Sequence, residues 1–310
     1  MKENGSILKK KPLYKRIWEA RIAYILLLPL VVGLLITSYY PPVSGFYHAF
    51  FDWNPTGVSK FVGLDNFKAI LTDKVFLNSI PTLFVFLIPR LAISVIIPLV
   101  MAELIFSVKN KKAEYRYRVA VLLPMVAPGM VTLLMWQKIY DAMNGLLTGI
   151  LKLTGLVGPD VIIDWLGSEK TVIASLIFIN FPWIGGTAVL IYMAGLMNIS
   201  PEIIESCRLE GCGILRRIIK IDLPMLSGQL RYFLVFGLIG LVQDYNAQMV
   251  ITSGGPGYKT YVPGYYMYVK AFGADMMGYA SAVGVLIFIS IFALTVLAFK
   301  YTRFGTEEKS

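Results

Sequence analysis

The sequence has few of the residues with which enzymes carry out chemistry. Its 310 residues include one histidine and two cysteines, and charged residues make up only 15% of the chain. The G-x-x-x-x-G-K-[ST] sequence, whose backbone N–H groups hold nucleotide phosphates, is absent. We therefore expect no catalytic residue, no metal site and no cofactor bound by this chain, and we exclude ATP hydrolysis by the chain itself.

The shortage of charge, in contrast, indicates a membrane protein. Soluble domains have about 25% charged residues, whereas here hydrophobic residues reach 56% and the mean hydropathy is +0.66. Six apolar runs are each long enough to cross a hydrocarbon core of about 30 Å as a helix. The predicted fold is therefore an all-α integral membrane protein with six transmembrane helices. The runs are Ile22–Tyr40, Phe76–Phe106, Val119–Trp136, Thr171–Met197, Tyr232–Thr252 and Tyr279–Phe299.

The first run raises the alternative of a signal peptide, because residues 1–21 are basic. The run ends in Tyr-Tyr-Pro-Pro without a small-residue cleavage site, so we interpret it as an uncleaved span. Several spans contain prolines, which remove a helical hydrogen bond, and we expect kinks there. Such broken helices often surround a transport pathway, although kinks of purely structural use are as common. The prolines are Pro81, Pro89, Pro98, Pro124, Pro128 and Pro182.

Basic residues predict the orientation. Most of the 29 Lys and Arg residues fall on the side of the membrane that holds the N-terminus. By the positive-inside rule this side is the cytoplasm, and six spans place both termini there. We divide the chain into a basic cytoplasmic segment (residues 1–21), one transmembrane domain (22–304) and a cytoplasmic tail (305–310). The outer loops, 41–75 and 137–170, are long enough for short helices, such as Leu64–Leu71 and Leu146–Leu153, but neither is expected to form a domain.

A polar-rich stretch, residues 200–224, separates the fourth and fifth spans on the cytoplasmic side. Ser200 is suited to cap a helix through a backbone N–H, and Pro201 suits its first position. Gly211 can adopt a left-handed conformation and end that helix. A second short helix follows, in which we expect Arg216, Arg217 and Lys220 to face anionic lipid headgroups.

This stretch resembles the "EAA…G…I-x-L-P" loop of ABC importer membrane subunits. Five residues match at the same spacing, and two small residues, Ser206 and Cys207, stand where the motif usually has alanines. The resemblance implies that the two short helices are coupling helices, which dock into a groove of an ATPase subunit. The alternative is an ordinary amphipathic loop. The matching residues are Glu205, Gly211, Ile221, Leu223 and Pro224.

Three further stretches resemble the carbohydrate-uptake branch of these permeases, the binding-protein-dependent importers of the maltose-transporter type. They are Phe61–Phe67 ("F-x-G-L-x-N-F"), Thr252–Thr260 ("T-x-G-G-P…T") and Gly278–Ala282, whose small residues allow close helix packing. Together the resemblances cover residues 22–304. They imply import of a sugar, with an oligosaccharide favoured, by alternating access across a bacterial cytoplasmic membrane.

The resemblance also implies partners. These are a second, homologous permease in a heterodimer, two ATP-binding subunits that bind ATP and Mg²⁺, and an extracytoplasmic solute-binding protein. Lipid surrounds the spans, and the basic patches are explained by anionic headgroups rather than by nucleic acid. Cys207 and Cys212 would lie in the cytosol, where thiols stay reduced, so a disulfide is not expected. With no histidine or acid at ligand spacing, they do not form a zinc site.

Ionisable and polar side chains inside the spans mark candidate positions along a pathway. A polar cluster in the fifth span comprises Gln243, Asp244, Tyr245 and Asn246, and the fourth span contributes Asn180 and Trp183. We predict that these residues and Arg90 line the pathway, with an Arg90–Asp244 ion pair. The alternative is that they hold helices together. Glu103, near the cytoplasmic end of its span, is expected to reach water, and His48, among aromatic residues, to pack at the outer membrane edge.

Two other classes of protein remain as rivals. A secondary transporter or channel driven by an ion gradient would require intramembrane acid or histidine relays, often in repeated halves. A membrane-embedded enzyme would need an acid/base constellation. Uptake that depends on ATP rather than on membrane potential distinguishes an ABC importer from the first rival.

Overall fold

The computed structural model describes residues 12–57 and 59–301. About 72% of the chain is helical, and the two short strands, β1 (Phe51–Asp52) and β2 (Lys60–Phe61), pair antiparallel with Phe51 opposite Phe61. Most of the predicted basic segment 1–21, namely its first eleven residues, and the whole tail 305–310 lie outside the described residues.

The N-terminal part forms one long apolar helical arm. It contains α1 (Leu13–Glu19), α2 (Arg21–Leu34), a π-helical turn (Leu35–Tyr39) and α3 (Tyr40–His48). The helix continues past the predicted end of the first span, through Pro41 and Pro42, which lie just after the π-helical turn. None of the most apolar 18-residue window of this arm is buried within the chain, as suits a helix surrounded by lipid.

The helix at the centre of the fold is α5 (Lys74–Phe106), which follows the outer-loop helix α4 (Asp65–Thr72). It is 33 residues long and continues through Pro81, Pro89 and Pro98. Asp73 caps its first turn, since Oδ1 accepts hydrogen bonds from the backbone N–H groups of Val75 (2.8 Å) and Phe76 (3.2 Å).

The predicted third and fourth spans are both broken. The third consists of α6 (Lys111–Ala120), a 3₁₀ turn (Leu123–Val126) and α7 (Gly129–Ile139), with an 84° bend at Pro128. The fourth consists of α9 (Val172–Phe178) and α10 (Gly186–Met197). Between α7 and α9 lies α8 (Leu146–Leu153), with the bounds expected from the sequence.

The break between α9 and α10 follows from its backbone. Asn180 and Trp183 both have positive φ angles, 67° and 57°, which lie outside the helical region, and Pro182 between them has no N–H to donate. Residues 179–185 therefore form an irregular segment within the apolar run.

The C-terminal half begins with short helices and ends with long ones. In chain order the helices are α11 (Pro201–Leu209), α12 (Ile214–Arg217), α13 (Leu223–Met225), α14 (Ser227–Gln243), α15 (Pro263–Tyr268) and α16 (Met277–Tyr301). The π-helical turns in this half are Ile218–Asp222, Gln248–Thr252 and Val269–Gly273.

The core surrounds α5, which packs against α10, α14 and α15, while α16 packs against α3 and α4. A close approach explains Gly278 at the start of α16: a Cβ there would lie 2.0 Å from the carbonyl oxygen of Phe51. Within the described residues, four helices are long and apolar enough to cross a membrane, or up to six if the bent pairs α6–α7 and α10–α11 each count as one span.

Candidate functional site

A cavity of ≈ 1010 Å³ lies where the broken helices meet α5. It is bordered by α5, α7, the irregular segment 179–185 and the break after α14. Of the residues predicted to line a pathway, five border it, and they come from three separate parts of the chain. These five are Arg90, Asn180, Trp183, Asp244 and Asn246.

The predicted Arg90–Asp244 ion pair is confirmed. Helix α14 ends at Gln243, and Asp244 has an extended backbone (φ −78°, ψ 123°) that carries its carboxylate out of the helix. Nη2 of Arg90 donates to Oδ2 of Asp244 at 3.0 Å. The other carboxylate oxygen, Oδ1, accepts from the backbone N–H (3.2 Å) and the side-chain amide (2.9 Å) of Asn246.

Aromatic rings form a second part of the cavity wall. Phe178 and Phe181 stack with centroids 4.8 Å apart and an angle of 11° between ring planes, and Trp183 stands edge-on to both. Nε1 of Trp183 donates to the carbonyl oxygen of Ile179 at 3.0 Å, which fixes the indole. Phe181 is 52% exposed, so an apolar ring surface is available to a ligand.

Two predicted residues are not brought to this cavity. Gln243 is exposed, and Tyr245 packs with Tyr265 and Tyr268 at centroid distances of 6.3 and 5.8 Å. Tyr245 borders a separate cavity of ≈ 450 Å³ beside α3 and α16. The reason is local: Asp244 and Tyr245 follow the helix in an irregular, non-helical conformation, and successive side chains of such backbone point to different sides.

The stretch 200–224 contains the two short helices expected from the sequence, α11 and α12. Gly211 separates them with a φ of +71°, and the N–H of Cys212 donates to the carbonyl oxygen of Cys207 at 2.9 Å. This bond, from the third residue after α11 back to its last turn, is typical of a Schellman cap. The hydroxyl of Ser200 donates to the carboxylate of Glu202, so its cap differs from the predicted bond to a backbone N–H.

The residues of the matched motif differ in exposure. Glu205, Ser206, Gly211 and Pro224 are exposed, and Leu223 is half-buried. Ile221 packs against the buried cluster formed by α5 and α10, which includes Tyr192 and Leu196. The docking role of the seven predicted residues remains a prediction; the structure places part of the set at the surface and anchors the rest.

The expectation that Cys207 and Cys212 stay reduced is corrected by the structure, in which they form a disulfide. The Schellman cap accounts for the pairing. It folds the chain back over the last turn of α11 and brings the two Cα atoms to 5.1 Å, within the range that a disulfide spans. The prediction was based only on the cellular compartment and on metal ligation, whereas the pairing follows from the turn at Gly211.

The expectations for Arg217 and Glu103 are also corrected. Arg217 is 9% and Glu103 5% exposed, so neither faces lipid headgroups or water. Nη2 of Arg217 donates to Oε2 of Glu103 at 3.2 Å, and its Nε donates to Oδ2 of the buried Asp222 at 2.8 Å. The guanidinium also lies 5.6 Å from the ring centroid of Phe106. A carboxylate near the end of α5 thus holds Arg217 inside.

Two hydrogen-bonded clusters were not predicted from the sequence. The hydroxyls of Thr252 and Thr260 lie 2.8 Å apart, and Thr260 donates to the carbonyl oxygen of Gly255, so the two threonines of the "T-x-G-G-P…T" stretch close its turn. Asp73 accepts from the hydroxyl of Tyr266 at 2.6 Å and lies 3.6 Å from Nζ of Lys270. The spacing of the two threonines could have predicted their contact. Asp73 and Tyr266 are 193 positions apart, and no local sequence pattern indicates their contact.

The predicted packing of His48 is confirmed. Its ring stacks on Trp53 at 3.9 Å and stands edge-on to Tyr47, and its Nδ1 lies 2.8 Å from the carbonyl oxygen of Ser44.

With this geometry established, comparisons with known proteins show that the chain is similar to membrane permeases of ABC transporters. No family model matches the chain. The chain is 29% identical over 288 residues to the probable ABC transporter permease protein YurN of Bacillus subtilis, covering 93% of this chain and 98% of that protein. It is 25% identical over 251 residues to the diacetylchitobiose uptake system permease protein NgcF of Streptomyces coelicolor, covering 78% and 71% of the two chains.

A solved structure shares the fold. A chain in the crystal structure of a bacterial ABC transporter involved in the import of the acidic polysaccharide alginate superposes with a TM-score of 0.83. The match covers 95% of this chain and 99% of that chain at 21% sequence identity. The resemblance to carbohydrate ABC permeases that the motifs indicated is thereby confirmed.

Proposed function

We propose that this chain is a membrane-spanning subunit of an ATP-driven ABC importer and that it forms part of the translocation pathway for a sugar, with an oligosaccharide favoured. The named relatives are permease proteins, one of a diacetylchitobiose uptake system. The proposal includes six spans with both termini cytoplasmic, in a bacterial cytoplasmic membrane.

The observation that carries the proposal is the link between the exposed helix α11 and a cavity bordered by broken helices. Glu205 is exposed on α11, one helical turn before Leu209, which is 89% exposed and has no cover in the described part of the chain. An exposed apolar side chain beside a carboxylate suits docking into a groove of another protein. Ile221 anchors the following turn to α5 and α10, and α10 begins at the cavity.

In this proposal the chain works by alternating access. ATP and Mg²⁺ bind to two separate ATPase subunits, and this chain has no ATPase site of its own. Closure of the ATPases moves α11, and because Arg217 joins α12 to Glu103 of α5, the movement reaches the cavity as a shift of rigid helices. A second, homologous permease supplies the other half of the pathway, and an extracytoplasmic binding protein delivers the sugar.

The rival is a secondary transporter or channel driven by an ion gradient. One observation favours it: Glu103, Asp222 and Arg217 form a buried cluster of ionisable groups, of a kind found in proton-coupled transporters. The cluster lies at the end of α5 and does not border the cavity, so we prefer a structural role for it.

A tagged pull-down from membranes in mild detergent tests the proposal. We expect a second permease and an ATPase to copurify with the wild type, and the ATPase to be lost from Glu205→Ala. Glu210→Ala is the matched control, because Glu210 is also exposed and directly follows the same helix. If wild type brings down no ATPase, and uptake in vesicles stops with a protonophore rather than with ATP depletion, the rival is correct.

A further inference from the structure

The cavity has two charged residues among the described residues that line it, Arg90 and Asp244. They face each other at 3.0 Å, and their side chains are 22% and 26% exposed. From this we propose, on the basis of the function proposed above, that this chain's part of the pathway selects uncharged saccharides, and that the Arg90–Asp244 pair sets the selectivity.

The charge of Arg90 is neutralised by a carboxylate with both oxygens in use. Oδ2 of Asp244 accepts from Arg90, while Oδ1 accepts from the backbone and side chain of Asn246. Charge-assisted bonds of this kind are among the stronger hydrogen bonds in proteins. An anionic ligand would therefore meet an arginine whose charge Asp244 already compensates, and it would bring a further negative charge without a cation of its own to membrane depth, which is costly.

The aromatic part of the wall acts in the same direction. The faces of aromatic rings carry negative charge density and attract the C–H groups of a sugar ring, whereas they repel carboxylate, sulfate or phosphate groups. Phe181 and Trp183 present such surfaces beside the ion pair, and Trp183 is fixed by its bond to Ile179.

The remaining polar groups of the wall suit hydroxyl ligands. Asn180, Ser94 and Thr132 line the cavity with amide and hydroxyl groups, which donate and accept hydrogen bonds without a charge. The wall therefore combines stacking surfaces, neutral hydrogen-bonding groups and a closed ion pair. A transporter of acidic sugars with the same fold would need an unpaired cation at this level, because a buried anion requires one.

The experiment is an equilibrium binding measurement on the whole complex in nanodiscs. The probes are neutral oligosaccharides (maltotriose, cellotriose and triacetylchitotriose) and the anionic trigalacturonate. We expect wild type to bind at least one neutral probe and to bind trigalacturonate at least about tenfold more weakly. Asp244→Asn keeps the size of the side chain but frees Arg90, and we expect it to shift the ratio of the affinities towards trigalacturonate by about tenfold or more.

Two further variants make the result decisive. Asp160→Asn removes one carboxylate from an exposed position in an outer loop, away from the cavity, and should leave the ratio as in wild type. The double variant Arg90→Gln/Asp244→Asn removes both charges, and we expect it to restore the preference for the neutral probe, which loss of folding would not do.

The inference is overturned if wild type binds trigalacturonate as well as the neutral probe, if Asp244→Asn leaves the ratio within about twofold, or if the double variant keeps the shifted ratio. A complex that copurifies with its ATPase yet shows any of these results leaves the proposed function intact. If no ATPase copurifies and no probe of either charge binds, the proposed function itself fails, and the inference with it.

Discussion

Arg217 holds two buried carboxylates from distant parts of the chain, Glu103 at the end of α5 and Asp222 in the turn that leads into α14. Oε1 of Glu103 and Oδ1 of Asp222 have no hydrogen-bond partner in the described part of the chain. The guanidinium is therefore the main compensation for both charges. A single residue thus fixes the turn Ile218–Asp222 to the central helix.

Removal of this guanidinium should be costly. We expect Arg217→Met to lower the free energy of unfolding by about 3–5 kcal/mol, because it leaves buried carboxylates without a cation. Arg216→Met, at the exposed neighbouring position, is the control and should change stability little. The difference is measured by heating the purified complex and recording the loss of monodisperse protein with temperature. Equal melting temperatures for the two variants would show that Arg217 is not needed for stability.

Asp73, at the N-terminal end of α5, joins this helix to Tyr266 and Lys270. Partial burial alone raises the pKa of Asp73, but hydrogen bonds donated by Tyr266, Phe76 and Val75, with the charge of Lys270, lower it below the ordinary value of 3.8 overall. A lowered pKa means that the ionised form stabilises the fold at neutral pH. This stability is present above pH 3.8 and is lost as the pH falls through the folded-state pKa.

We therefore expect Asp73→Asn, which keeps a good helix cap but removes the charge that Tyr266 and Lys270 contact, to destabilise the chain by about 1 kcal/mol at pH 7. The difference in stability from wild type should narrow below pH 3.8. Asp65→Asn, which removes an exposed carboxylate from α4, should show no such narrowing. The measurement is hydrogen exchange of the first turn of α5 at several pH values. A constant gap at all pH values contradicts the prediction.

At the scale of elements, the turn between α11 and α12 depends on Gly211. Its φ of +71° is left-handed, and a Cβ there would meet nothing within 4 Å, so a larger side chain would be strained by backbone conformation alone. Gly213 also has open space around a Cβ, but its φ of −68° suits any residue. Substitution of Gly211 therefore tests backbone conformation and added size together, whereas substitution of Gly213 tests added size alone.

Gly211→Ala should weaken the turn by about 1–2 kcal/mol, change the angle between the short helices and reduce copurification of the ATPase. Gly213→Ala adds the same atoms and should leave the complex intact. Quantitative pull-downs of both variants, normalised to the amount of permease, test this. If both variants retain the ATPase equally, the left-handed turn is not required for docking.

Local patterns predicted the elements that depend on neighbouring residues. Neighbouring residues in the sequence predicted the bounds of α8, the glycine turn after α11 and the packing of His48 against aromatic rings. The Arg90–Asp244 pair was also predictable, because charged side chains inside membrane spans are costly and usually pair with one another. The Arg217–Glu103 contact joins residues 114 positions apart, and amphipathic periodicity could not show that Arg217 faces inward. Pro182 predicted a kink in the fourth span, but the extent of the irregular segment 179–185 depends on the positive φ angles of Asn180 and Trp183, which composition does not give.

At the scale of the whole molecule, the cavity and the exposed helix α11 are joined by continuous structure. Helix α10 begins at the cavity and ends shortly before α11, with a 79° bend between them. Helix α5 borders the cavity at Arg90 and holds Arg217 through Glu103. A displacement of α11 therefore has two packed routes to the cavity. An ATPase can use them only if α11 lies in the cytoplasm.

Orientation is the last prediction, and it follows from the basic residues. In a Cys207→Ser/Cys212→Ser background, Lys112→Cys near the start of α6 should face the cytoplasm and Thr154→Cys after α8 the outside; both positions are exposed. A membrane-impermeant maleimide should label Thr154→Cys in intact cells, and Lys112→Cys only after permeabilisation. The reverse pattern would place α11 outside, where no ATPase can reach it. Labelling of both positions in intact cells would mean that the spans do not number six.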